Sequence, residues 1–275
     1  MAISPIDQSR IVVPSDGRGT PSGTNATPGG KGPGATATAT PDTGPSPSIH
    51  EAMIARHLPK DPRTGEPMAD ATLDRMADAM RAARLGAERA ERVAAALHAN
   101  EMQMPAARHK QVRAEAWKSV EPALRQLDSA RQAATQAIEA LEAVTSAPPA
   151  PKDMLGGLKA NEIRSVLRGL PEAEREAMLS AALGDDDDAM IGAVIDQPPA
   201  MSGISKTRHE MLKASWQRKR HGDKLDRVAT LKKALADLER GGELTIKFAS
   251  TLSDDQIIKR AEASERRVAD ALREN

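Results

Sequence analysis

Leu73, Met76, Met80, Ala83, Ala87, Ala90, Ala94 and Leu97 fall at strictly alternating spacings of three and four residues. Such a run keeps one apolar stripe on one side of a helix for more than three heptads, which a strand with its period of two cannot do. It predicts a long helix from about Ala69 to Asn100 whose stripe faces another helix. Gly86 and the many alanines let that partner approach closely, and the Arg and Glu residues around Glu88–Arg92 belong on the solvated side.

The rest of the chain has the same character. Of 275 residues, 49 are Ala and only 45 are Leu, Ile, Val or Phe. Alanine has the best helix propensity but buries little area, so this balance favours long, closely spaced helices over a thick core. Trp117, Trp216 and Phe248 are the only aromatics, which leaves little to line a ligand pocket. The expected fold class is all-α, a long Ala-rich helical hairpin followed by a bundle of shorter helices, with an extended or disordered N-terminal arm.

A second long helix is predicted from about Ala106 to Thr145, with Val120, Leu124, Leu127, Ala134, Ile138 and Leu141 on its seam and Pro122 as a candidate break. Together the two helices make a hairpin stabilised by shallow Ala and Leu packing, with the seam formed by Leu73, Met76, Met80, Leu97, Leu124, Leu127, Ile138 and Leu141. A short helix over Ile49–His57 precedes it, capped by Ser48 and closed by the Pro-rich Pro59–Pro67 stretch. Ala147–Pro151 can neither continue a helix nor enter a sheet and is the predicted internal boundary. Beyond it, helices are expected at about Ala160–Arg168, Glu172–Leu183, Ala189–Ile195, Lys206–Arg220 and Lys224–Arg240. Gly241-Gly242 reads as the stop of the last of these, Glu243–Phe248 as one short strand, and Ser253 as the cap of a final helix to about Arg273. Three regions result: an arm over 1–48, the hairpin over 49–146 and a small-helix module over 152–275.

The arm divides in two. Ile3, Ile6, Ile11, Val12 and Val13 make a short apolar head, and residues 14–48 then lose almost all large apolar side chains to Gly, Pro, Thr, Ala and Ser. A segment of that composition cannot bury enough surface to offset its ordering entropy and is expected to be a tether, roughly 30–35 Å across as a coil. The head then reads as a partner-docking peptide, and the alternative is a tail with no role.

Asp185–Asp188 lack the alternating oxygens, the glycine and the distal glutamate of a calcium loop, and suit a solvated helix N-terminus. His50, His57, His98, His109, His209 and His221 lack metal-ligand spacing and read as surface residues. Gly30-Lys31-Gly32-Pro33-Gly34 lacks the Lys-Ser/Thr ending of a phosphate loop. No nucleophile elbow and no cysteine is present, so neither a catalytic residue nor a cofactor or metal site is expected. The formal charge is zero, which argues against polyanion binding by the chain as a whole. One segment differs. Lys206–Arg227 holds eight basic residues against three acidic ones. Arg208, Lys213, Trp216, Arg218, Lys219 and Arg220 there are candidate nucleic-acid contacts by phosphate neutralisation and stacking. The competing reading is a solvated helix with Met211, Leu212 and Trp216 packed inward. No apolar run reaches the roughly 18 residues of a membrane span, and the N-terminus lacks the plan of a signal peptide.

From Ala189 to Arg240 an apolar helix ending Ile191-Gly192-Ala193-Val194-Ile195 is followed by a Pro-Pro break, by Met201-Ser202-Gly203-Ile204-Ser205 and by a basic helix. This fifth of the chain resembles small helical proteins encoded among the head and tail genes of tailed bacteriophages. The resemblance implies a virion or assembly role and brings no catalytic residues. The expectation is therefore a non-enzymatic structural protein, assembled in a host cytoplasm and bound to other subunits of a larger particle in several copies. A nucleic-acid-associated helical protein is the alternative; a small-molecule substrate is not expected.

Overall fold

The computed structural model describes residues 44–149, 151 and 153–273, and it is all-α. Ile3, Ile6, Ile11, Val12 and Val13, expected to form a docking peptide, and most of the predicted tether lie outside the described residues. The helices are α1 (Ala52–Ala55), α2 (Ala71–His98), α3 (Pro105–Ser146), α4 (Met154–Gly169), α5 (Glu172–Gly184), α6 (Asp188–Ile195), α7 (Lys206–Thr251) and α8 (Asp255–Arg273). A 3-10 turn, Pro199–Ser202, links α6 to α7.

The predicted seam is filled from within the chain. Leu73, Met76, Met80, Leu127 and Ile138 are buried in one core with Ala79, Ala83, Ala123, Ala130 and Ala134, while Leu124 and Leu141 pack at its edge. Leu97 is half-buried at the far end of α2. Val228, Leu231, Ala234 and Leu238 of α7 complete the same core, so the hairpin is two thirds of a three-helix bundle. The core thus draws on residues from both sides of Ala147–Pro151. Each fully buried Leu or Met contributes about 1.5–3 kcal/mol through the area it removes from water. At Gly86 a Cβ would stand 3.1 Å from the Ser119 carbonyl oxygen, which is the close approach of α2 to α3 that the alanine stripe implied.

Local signals set the helix ends. Asp70 caps α2 by accepting from the amides of Thr72 and Leu73, and the same carboxylate holds Arg227 of α7 at 3.1 Å. Asp153 caps α4 and Asp187 caps α6. Arg175 donates to the carbonyls of Leu167, Leu170 and Gly203, which closes the end of α4 onto the left-handed turn at Gly203 (φ +71°). α1 is clipped to α2 by Arg84, which donates to both oxygens of Glu51 at 3.1 Å.

Six local expectations are corrected. Pro122 does not break α3; it lies on the exposed face, where water can satisfy the carbonyl its ring leaves free. Gly241-Gly242 does not stop α7, because Gly241 is buried where α2 comes closest, and 243–248 is helix instead of strand. Asp254 caps α8, accepting from the amides of Gln256 and Ile257, where Ser253 was expected. The first helix is one turn, since His57 and Arg56 are drawn onto Asp237 of α7 at 2.7 and 2.8 Å. The tether ends before residue 48: Gly44 lies against the Glu91 carboxylate, Ser46 accepts from the Ile49 amide, and Ile49 is buried.

α7 is bent at His221 (φ −131°, ψ 25°). Its second half belongs to the bundle, and its first half belongs to a smaller lobe. There Leu212 and Trp216 share a second core with Leu167, Leu179, Ile191, Val194 and Ile204.

Candidate functional site

The basic segment lies on the first half of α7, which Ser205 caps by accepting from the Arg208 amide. The inward face of this helix carries Leu212 and Trp216, both buried, while Met211 is exposed. Trp216 donates its indole N–H to Asp188 at 3.1 Å, and its ring meets His221 edge-on at 5.4 Å, so it offers no free face for a base to stack on.

The cations around it have carboxylate and carbonyl partners. Lys219 donates to the last carbonyls of α5, Leu183 and Gly184, at 2.7 Å each, and lies 2.9 Å from Asp186. Arg220 pairs with Asp188 at 2.9 Å, Arg208 with Glu176, and Arg218 with Asp226 across the bend. The bond to Asp226 reinforces the ordinary positive charge of Arg218. Lys213 is half-buried on the same helix. The two charge clusters of opposite sign, far apart in sequence, are thus halves of one clasp. Lysine at a helix C-terminus and aspartate at the next N-terminus each also complement a helix dipole. Among the described residues no group of three His, Asp or Glu is placed to hold a metal ion.

A different feature distinguishes α4. One face carries Ala160, Ile163, Arg164 and Leu167 against α6 and the 3-10 turn, and buried Arg164 donates to the Ala193 carbonyl at 2.8 Å. The opposite side at its N-terminal end exposes Met154, Leu155 and Leu158 by 85, 60 and 60%. Beside them an open groove runs past Pro151, Gly157, Asn161 and Gln197. The helix-period reading of the sequence began this helix at Ala160 and so missed the turn that carries these side chains. The signal was present in Asp153, an N-cap residue directly before Met154.

The hairpin tip also brings together residues that the sequence kept apart. His98 ends α2, His109 lies in the first turns of α3, and their rings meet edge-to-face at 5.1 Å. At α1, burial would raise the Asp237 carboxyl, but hydrogen bonds from His57 and Arg56 outweigh it and hold the group below its ordinary value. Among the described residues no helix is long and apolar enough to cross a membrane. No protein-family model, no curated protein and no solved structure matches this chain.

Proposed function

We propose that this chain is a non-catalytic structural or assembly protein that works by binding other protein chains, as a multi-copy component of a bacteriophage particle associated with its head, portal or tail. The observation that carries the protein-binding reading is the first part of α4. Single exposed apolar residues are ordinary on any surface, but Met154, Leu155 and Leu158 lie together within five residues, all more than half exposed. The assignment to a particle is supported by the resemblance of Ala189–Arg240 to helical proteins of phage head and tail gene modules. In this reading the apolar head of the arm, with Ile3, Ile6, Ile11, Val12 and Val13, is a second docking element joined to the helices by a Gly-, Pro- and Thr-rich segment. The nucleic-acid alternative is less favoured, because Arg208, Arg218, Lys219 and Arg220 have carboxylate partners and Trp216 is in a core.

The test is the double variant Met154→Asp, Leu158→Asp, compared with the wild type by sedimentation velocity over a concentration series and by mass spectrometry of purified particles from the encoding strain. The expected result is an unchanged circular dichroism melt with lost association and lost incorporation. Wild-type protein absent from every particle, or a variant incorporated at the normal level, sinks the proposal.

A further inference from the structure

The connection between α7 and α8 is held at the hairpin tip by two histidines. His98 of α2 donates from Nε2 to the Leu252 carbonyl at 3.0 Å. His109 of α3 accepts, through Nδ1, the backbone N–H of Asp254 at 3.0 Å. One histidine thus grips the end of α7, and the other the residue that caps α8. The two bonds respond differently to a proton. Nε2 of His98 remains a donor whether the ring is neutral or charged, whereas Nδ1 of His109 can accept only while it carries no proton.

Little else fastens α8. Ile258 is its one buried residue, Ile257 and Ala261 are half-buried, and Val268 and Leu272 stand in solvent. Two ion pairs with exposed partners, Lys110 with Glu265 at 3.0 Å and Arg113 with Asp255 at 3.6 Å, add to the attachment, and such pairs hold weakly. We propose that His109 is a proton-operated latch: its neutral ring docks α8 on the hairpin tip, and its protonation releases α8 as a free amphipathic helix.

The surroundings set the direction. From α2 His109 faces His98, within α3 it follows Arg108, and from the start of α8 it faces Asp254. Burial first, and then the charges of His98 and Arg108, disfavour its protonated form, with Asp254 opposing them, so its pKa is lowered from the ordinary 6.5. Arg108 cannot move away freely, because it donates to the His98 carbonyl at 2.8 Å. A histidine whose pKa is lower in the docked than in the released state stabilises docking at high pH. What release changes is the bond itself: Nδ1 accepts the Asp254 N–H only while it carries no proton, so docking favours the neutral ring and is weakened as pH falls through the His109 titration. Release would bare Ile257, Ile258 and Ala261 on the face that already exposes Val268 and Leu272, with Glu265 between them.

The chain has no cysteine, so a spin-label pair at Lys118→Cys and Ala263→Cys, both exposed in the structure, reports the distance from α3 to α8 in the full-length protein. The expected result is a single short distance at about pH 7.5 and a broad, longer distribution at about pH 5. The midpoint should coincide with the His109 imidazole titration followed by NMR in the unlabelled wild type. His109→Asn keeps an acceptor near the Nδ1 position without titrating and should hold the short distance at both pH values. A distance that does not change with pH in the wild type overturns the proposal, as does a His109→Asn protein that opens like the wild type. Should that variant fail to fold, the wild-type comparison decides alone, and an opening midpoint that departs from the His109 titration overturns the latch.

Discussion

Met80 Sδ on α2 fills the space that a Cβ would occupy at Gly241 on α7. The neighbouring Gly242 is different, since a Cβ there would make an ordinary contact at 3.7 Å with Leu127. The pair therefore separates two roles that glycine can have within a helix. Gly241→Ala gains helix propensity but forces Met80 out of a filled core, and it should lose about 1–3 kcal/mol overall. Gly242→Ala should gain up to about 1 kcal/mol, because it relieves the entropic cost of glycine with no clash. Urea denaturation of the two single variants measures both, and equal effects would refute the assignment of Gly241 to the close approach.

The second prediction concerns the seam. Met76 and Met80 are fully buried among residues of this same chain, so Met76→Asp with Met80→Asp places two carboxylates in an interior with no partners. Each unpaired buried charge costs several kcal/mol, and the double variant should be unfolded by circular dichroism at room temperature. A folded double variant with only its association altered would show that the seam serves a second chain instead.

The legible part of the fold was the part written in one helix at a time. The three-four spacing of Leu73 to Leu97 fixes both the helix and its buried side, and alanine on that stripe forecasts the short distance between axes. The third helix of the bundle carries a comparable run in Val228, Leu231, Leu238 and Thr245, but Gly241-Gly242 interrupts it with what looks like a local stop. Only the position of Met80 shows why the helix continues, and that is a tertiary fact. The same holds for charge. Asp185–Asp188 and Lys219-Arg220 each read as solvated runs, and their pairing depends on α5 and α6 folding back on α7. His98 and His109 flank the turn of a predicted hairpin, so their proximity was available in principle. Their common grip on 252–254 depends on the third helix ending at that tip.

The third prediction is a pH dependence at α1. The bidentate bond from Arg84 lowers the Glu51 carboxyl from its ordinary 4.5 to about 2, against an opposing effect of burial. A carboxylate lowered in the folded state adds stability that is fully present above pH 4.5 and disappears as pH falls from there towards 2. Melting temperatures of the wild type and Glu51→Gln should differ most at neutral pH and converge at about pH 2–3. Arg84 also holds Glu88 at 2.8 Å, so Arg84→Gln should lose more than Glu51→Gln at neutral pH. A constant difference across the range would show that Glu51 acts through packing and not through charge.

The last prediction separates the clasp on α7 from a phosphate-binding role for the same side chains. Changing Arg218, Lys219 and Arg220 to Glu places acidic groups beside Asp226, Asp186, Asp188 and the carbonyls at the end of α5 that Lys219 satisfies in the wild type. Exposed ion pairs each contribute little, so the triple change should loosen the small lobe without unfolding the bundle. Trp216 reports this directly, because its indole N–H bond to Asp188 and its burial both depend on the clasp. In a Trp117→Phe background, which leaves Trp216 as the single tryptophan, the triple reversal should shift its emission to longer wavelength while the helical signal persists. If these cations instead serve nucleic acid, wild-type protein should be retained on DNA at low salt with an affinity that falls steeply as salt rises. The reversal would then abolish retention and leave the Trp216 emission unchanged. The geometry predicts the opposite pair of results, an emission shift in the variant and no retention of the wild type, because these cations already face carboxylates of the chain and Lys219 also donates to two carbonyls, so a phosphate would have to displace partners that are in place.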